Sequence, residues 1–185
     1  MNTVLLANLI KIRWIAIVGQ LITLFTIFFV FNFNIPLTEC LLVVLLSILV
    51  NLSSYFIQRG NSTLTDKKTF LFLLFDISQL VGLLFLTGGV FNPFIVLIIA
   101  PIIISASYLT ALWTILLSMY SIILILIINF NYIPLTWEKN FIIPPLYNIG
   151  ILVALIITIV FLAIYSYLFA SSARKISSAL TATEL

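Results

Sequence analysis

The sequence predicts an all-α protein that crosses a membrane six times. Of its 185 residues, 64% are hydrophobic and only 7% are charged, whereas an ordinary soluble domain is about 45–50% apolar and about 25% charged. The hydrophobic residues number roughly 118, which is enough for about six spans of about 20 residues each. This composition excludes a soluble enzyme, a disordered chain and a disulfide-linked secreted domain.

Polar or helix-breaking residues divide the chain into six apolar runs. Residues 93–130 contain no charge and are too long for one span, so we predict two spans joined by a turn near Thr110. Pro101 predicts a bend in the first of these two. The predicted spans are residues 14–33, 40–57, 70–87, 93–110, 112–130 and 147–169. Together they form a transmembrane domain over residues 1–170.

The positive charges predict that both termini are cytoplasmic. Six spans put both termini on one side, and the short cytoplasmic loops of membrane proteins carry an excess of Lys and Arg. In this layout Lys139 alone lies outside. The other basic residues lie inside: Lys11, Arg13, Arg59, Lys67, Lys68, Arg174 and Lys175.

The outer hairpin between spans three and four, residues 87–94, contains the first candidate site. Two adjacent glycines permit a non-helical backbone and close approach of another group. An Asn-Pro step predicts a helix N-cap, and we expect unpaired amide hydrogens in the first turn that follows. Two phenylalanines flank these donors, so a quinone headgroup fits here, although a plain membrane hairpin uses the same turn residues. The candidate binding residues are Gly88, Gly89, Phe91, Asn92, Pro93 and Phe94.

Asp76 is the one ionisable residue well inside a predicted span. A carboxylate at that depth costs about 2.5–3.5 kcal/mol on insertion scales, so we expect it to face protein or water and to have a partner. Gln79 lies on the same helix face, and Gln20 in span one is a candidate partner across helices. The group fits a proton or signal relay, and it fits a packing contact equally well.

Residues 171–185 predict the start of a cytoplasmic linker helix. Polarity returns there, and residues recur at heptad-like spacings of three and four: Ala173, Ile176, Leu180 and Thr183. The stretch has no Gly or Pro and ends without a cap, as a helix would that continues into a cytoplasmic domain. An ordinary frayed terminus explains the spacing as well.

The residue inventory excludes several kinds of chemistry within these residues. The chain has no His, one Cys and five carboxylates, which excludes His-containing triads, zinc sites and phosphohistidine chemistry. It also has no Gly-rich nucleotide loop and no basic patch for nucleic acid. We therefore predict no catalytic residue, no metal site and no nucleic-acid partner.

The hairpin resembles a known family motif. Its sequence GGVFNPF, residues 88–94, matches the G-G-x-x-N-P-F motif of the RegB/PrrB/ActS redox-responsive sensor histidine kinases. In that family the motif lies on the outer side between the third and fourth of six spans, which is its predicted place here. Residues 173–185 also resemble the linker that precedes the family's phosphoacceptor histidine. The resemblance therefore covers the whole chain, as the membrane half of such a kinase.

The resemblance implies a function. It implies a homodimeric sensor in the lipid of the bacterial inner membrane, which binds ubiquinone or another membrane quinone at the motif and reports the redox state of the quinone pool. A kinase half, outside these residues, would use ATP to phosphorylate its own histidine and would pass the phosphoryl group to a RegA/PrrA/ActR-type response regulator. This chain itself would not be catalytic. The alternatives are a stand-alone membrane protein, such as a small permease or a respiratory-complex assembly subunit, and an anchor that dimerises a kinase without sensing.

Overall fold

The structure is a computed structural model that describes residues 4–57 and 63–135. Its regular secondary structure over these residues is helical apart from one pair of two-residue strands. The all-α prediction is confirmed over these residues. The antiparallel strands are β1 (Val4–Leu5) and β2 (Thr63–Leu64). The α-helices are α1 (Leu6–Phe25), α2 (Leu37–Ile57), α3 (Asp66–Leu86), α4 (Ile99–Tyr108) and α5 (Ala111–Phe130). Predicted span 147–169, Lys139 and the linker 171–185 lie outside the described residues.

Within the described residues, four helices are long and apolar enough to cross a membrane, and they overlap predicted spans one, two, three and five. Their bounds are Asn8–Val30, Leu37–Phe56, Asp66–Leu86 and Ala111–Phe130. The first includes a π-helical turn, Thr26–Val30, that continues α1. The similarly apolar segment Pro93–Ala106, within predicted span four, is shorter.

Helix α1 begins before the predicted first span. We expected Lys11 and Arg13 to precede the apolar run, and both lie within α1, where Arg13 is buried. A charged side chain can lie within such a helix when it has a partner inside the bundle.

Predicted span four consists of two helical forms. A 3₁₀ helix, Pro93–Ile98, leads directly into α4. Pro101 is the third residue of α4, a position whose N–H has no intrahelical α-type partner in any helix. Proline is tolerated there, so the predicted bend takes the form of a change from 3₁₀ to α geometry rather than a kink within a continuous α-helix.

Two large hydrophobic clusters and a small third one, formed by Leu9, Ile10 and Leu64, make up the core of the described residues. The candidate site lies between the two large clusters. The first joins α1 to the start of α2 and to Leu83 of α3: Ile17, Leu24, Phe33, Ile35, Cys40, Val44 and Leu83. The second joins α3 to α4 and α5: Leu73, Ile77, Val81, Leu84, Ile98, Ile104, Leu117 and Ile128. The remaining face of α5 exposes large apolar side chains such as Leu112, Met119 and Leu126, which suits contact with lipid.

Candidate functional site

Asn92 fixes the conformation of the hairpin. Its Oδ1 accepts a hydrogen bond from Phe94 N–H at 2.9 Å, so the predicted N-cap with proline at the first helical position is confirmed. Its Nδ2 donates to Thr87 O at 2.9 Å and to Thr87 Oγ1 at 2.8 Å. Thr87 Oγ1 in turn donates to Leu83 O. The buried Asn92 side chain therefore ties the end of α3 to the start of the 3₁₀ helix.

The expected free donors after Asn92 are not present. Phe94 N–H is bound by the Asn92 side chain, and Ile95 N–H donates to Asn92 O at 3.0 Å. The prediction that this first turn offers unpaired amides is thus wrong for both residues, because the cap and the tight 3₁₀ geometry supply partners.

Gly88 and Gly89 have positive φ values, of 106° and 61°, which favour glycine. A Cβ atom on Gly89 would lie 2.6 Å from Tyr132 Cγ, and one on Gly88 would lie 3.0 Å from Leu135 Cδ1. The segment after α5 is also bound to the end of α3, since Ile133 N donates to Phe85 O at 2.8 Å. The two glycines thus allow the chain after α5 to pack directly on the hairpin, and we infer that this contact explains the glycine pair.

The two phenylalanines of the motif have different surroundings. Phe91 is 66% exposed, and its ring contacts that of Tyr132 at a centroid distance of 5.9 Å. Phe94 packs against the second hydrophobic cluster and lines a cavity. Of these two rings, only that of Phe94 is placed to contact a molecule bound in the cavity.

The cavity lies between α1, α3 and the Pro93–Tyr108 segment and has a volume of about 380 Å³, within the range of small-molecule sites. Its apolar lining includes Ile17, Leu24, Leu80, Leu84, Leu97 and Ile104. Phe94 and Asn92 lie at the end of the cavity nearest the hairpin, beside Thr87. From Thr87 to Asp76 it follows about 16 Å of α3, at 1.5 Å of rise per residue.

An ion pair occupies the end of the cavity that is farthest from the hairpin. Arg13 Nε lies 2.9 Å from Asp76 Oδ1, and Arg13 Nη2 donates to Phe72 O at 2.9 Å. The guanidinium carbon also lies 4.6 Å from the centroid of the Phe72 ring, a cation–π contact. The prediction that Asp76 has a partner is confirmed, but that partner is Arg13.

A pair of glutamines lies in the wall of the cavity between the ion pair and the hairpin. Gln20 Nε2 donates to Gln79 Oε1 at 3.1 Å, and Gln79 Nε2 donates to Gln20 Oε1 at 3.0 Å. We call this reciprocal pair the Gln bridge. Gln20 thus binds Gln79 and not Asp76, so Asp76 and Gln79 make separate contacts with α1. The relay through these two residues stays a prediction.

The structure brings together only part of the predicted site. Four predicted residues line the cavity: Asp76, Gln79, Asn92 and Phe94. The others shape the hairpin outside it: Gly88, Gly89, Phe91 and Pro93. Sequence reasoning missed Arg13 as a lining residue, although its spacing of seven from Gln20 places both on one helix face.

Over nearly its whole length the chain is similar to a sensor kinase. It is 35% identical over 182 residues to the sensor histidine kinase RegB of Cereibacter sphaeroides, which takes in 97% of this chain and 39% of the relative. The chain is homologous to the membrane-spanning N-terminal part of RegB. A second RegB sequence, from a particular strain of the same organism, is 35% identical over 75 residues, covering 40% of this chain and 16% of that relative.

The similarity to RegB covers the cavity but not a whole kinase. Because it takes in 97% of the chain, it extends over every residue that lines the cavity. The chain spans about two fifths of the length of the first of these two RegB sequences. No family model and no solved structure matches the chain. With four candidate spans and this homology, the chain is a membrane protein.

Proposed function

We propose that this chain is the quinone-binding membrane domain of a two-component sensor histidine kinase, and that the cavity between α1, α3 and α4 is the quinone site. The proposed whole protein is a homodimer that crosses the bacterial inner membrane several times, with both termini cytoplasmic. Its kinase region would use ATP and pass a phosphoryl group to a response regulator. The homology to RegB supports this assignment.

The observation that carries the quinone assignment is the chemistry of the cavity. A quinone has a flat ring, two carbonyl acceptors and an apolar tail. The cavity offers apolar walls, the Phe94 ring and a few polar side chains, among them the Gln bridge. Ligand sites of this volume typically combine apolar walls with a small number of placed polar groups.

The position of the cavity suggests how occupancy becomes a signal. α1 and α3 contact each other through the Gln bridge and the Arg13–Asp76 ion pair. All four of these side chains line the cavity. A ligand shifts a protein between two arrangements only if it binds them with different affinities. Quinone carbonyls only accept hydrogen bonds, whereas quinol hydroxyls also donate them, so the two redox forms would interact differently with the same polar groups and bias the packing of α1 on α3.

The direct test is quinone binding by the purified chain in lipid nanodiscs, titrated with a labelled short-chain quinone and corrected for partition into empty nanodiscs. We expect saturable binding and about tenfold weaker affinity for Phe94→Ala, because the variant loses both ring area and stacking. Phe91→Ala is the matched control, since it removes the same side chain from the same motif outside the cavity. Affinity within twofold of the unchanged chain is expected there.

Two results would refute the quinone site. One is uptake by the chain that does not exceed partition into empty nanodiscs. The other is an equal loss of affinity in both phenylalanine variants, which would place the effect in the hairpin fold rather than in the cavity.

The sensing role is tested in the longer protein, if the gene continues past Leu185 into a phosphoacceptor histidine and an ATP-binding region. We expect oxidised quinone to lower its autophosphorylation and Phe94→Ala to raise the quinone concentration required about tenfold. If the protein binds quinone but its autophosphorylation rate does not change with quinone concentration, the result would favour an anchor that dimerises a kinase without sensing.

A further inference from the structure

The hairpin has few hydrogen-bonding groups left for a ligand. Asn92 Nδ2 already donates to two oxygens of Thr87, and Asn92 Oδ1 already accepts from Phe94 N–H. The N–H groups of Phe94 and Ile95 are occupied as well. At the hairpin end the cavity therefore offers a ligand the surface of the Phe94 ring, rather than free donors for a carbonyl group.

The Gln bridge, by contrast, keeps unused hydrogen-bonding capacity in the cavity wall. A glutamine amide has two N–H donors and an oxygen with two lone pairs. The bridge uses one donor and one lone pair on each side chain, so Gln20 and Gln79 each retain one donor and one lone pair. Both residues line the cavity, where apolar neighbours provide little else to bind them.

The ion pair lies on the far side of the Gln bridge from the hairpin. It is better suited to close that end of the site than to bind the ligand. Arg13 is held by Asp76, by Phe72 O and by the Phe72 ring. Asp76 lies one helical turn before Gln79, so a ring that reached the Gln bridge from the hairpin side would stop just short of the guanidinium. From Thr87 to Gln79, α3 provides a depth of about 12 Å.

We propose that the Gln20–Gln79 pair, and not the hairpin motif, binds the polar edge of the quinone ring. This inference rests on the proposed function and names the groups that recognise the ligand. A quinone carbonyl accepts a hydrogen bond from the free Nε2–H of either glutamine. A quinol hydroxyl also donates to a free Oε1 lone pair. Phe94 and the Asn92 cap then form the outer end of the site.

The test is a pair of matched double replacements in the full chain in nanodiscs, with a short-chain benzoquinone as the probe. Gln20→Leu with Gln79→Leu removes both partners of the bridge, so neither is left unpaired. We expect about tenfold weaker quinone binding, as for loss of one to two hydrogen bonds. The control is Ser78→Ala with Tyr120→Phe, which removes a 2.7 Å hydrogen bond between α3 and α5 outside the cavity; affinity within twofold is expected.

A spectroscopic measurement covers the case in which the double leucine variant does not fold. Infrared difference spectra of carbonyl-labelled quinone report hydrogen bonding as a lower carbonyl stretching frequency. We expect at least one of the single variants Gln20→Met and Gln79→Met to move this band toward its position in apolar solvent. The inference is overturned if the unchanged chain binds quinone while the leucine variant keeps full affinity or both methionine variants leave the band in place. If the unchanged chain binds no quinone, the proposed function itself fails.

Discussion

Replacement of Asp76 by alanine tests whether the ion pair holds α1 against α3. The variant leaves Arg13 without its anionic partner in a position where 9% of its side chain is exposed. Breaking a buried ion pair from one side costs about 3–5 kcal/mol. Asp76 keeps 25% of its side chain exposed, and Arg13 retains its contacts with Phe72, so we expect the lower end of that range, a loss of about 3 kcal/mol in the free energy of unfolding.

The assay is steric trapping of the purified chain in bicelles, which gives the free energy of unfolding without removing the lipid environment. Asp66→Ala is the control, since it removes a carboxylate from the first turn of α3; a change below about 1 kcal/mol is expected. Removing both charges with Arg13→Met and Asp76→Leu should restore stability to within about 1 kcal/mol, because no unpaired charge remains. The reasoning would be refuted by a double variant that is as unstable as Asp76→Ala. It would also be refuted by an Asp76→Ala variant with unchanged stability.

Two further predictions concern the hairpin and use the same assay. Gly89→Ala should lower the free energy of unfolding by about 2 kcal/mol or more, because of its positive φ and the contact with Tyr132; Gly19→Ala, with nothing within 4 Å of its added methyl, should be neutral or stabilising by up to about 1 kcal/mol. Equal effects at the two glycines would contradict the packing argument. Asn92→Ala should cost about 2 kcal/mol by loss of its cap and its other side-chain hydrogen bonds, whereas Asn131→Ala, at an exposed position after α5, should change stability by less than about 0.5 kcal/mol. A loss below 0.5 kcal/mol at Asn92 would show that the cap does not stabilise the hairpin.

Local signals in the sequence predicted the local structure. Long apolar runs gave the helices, because a run of about 20 such residues has few other stable environments. The Asn-Pro step gave the start of the 3₁₀ helix, since the cap forms between residues two apart. These features depend on contacts within a few residues of the chain, and a single sequence contains that information.

The candidate site depends on contacts between distant residues. Arg13 meets Phe72 and Gln20 meets Gln79 across 59 positions of the chain in both cases. The sequence rule that treats charge as a span boundary placed Arg13 outside the predicted first span, and the pairing with Asp76 was therefore not predicted. Likewise, the residues that pack on the motif glycines, Tyr132 and Leu135, lie about 45 residues further on. Helix spacing showed which residues share a face, but not which faces meet.

The division of the core bears on how the proposed site between α1 and α3 would transmit a change. One large hydrophobic cluster centres on α1 and α2 and the other on α3, α4 and α5, and Leu83 is the buried α3 residue that belongs to the first. A small third cluster packs Leu9 and Ile10 of α1 near Phe72 of α3. Hydrophobic contacts within each cluster are many and non-directional, so each group of helices resists internal rearrangement. The Gln bridge and the ion pair are few and directional, and they lie at the cavity. The proposed ligand, bound to the unused donors and lone pairs of the Gln bridge, would therefore act where few, directional contacts join α1 to α3, and it would bias how these two helices pack.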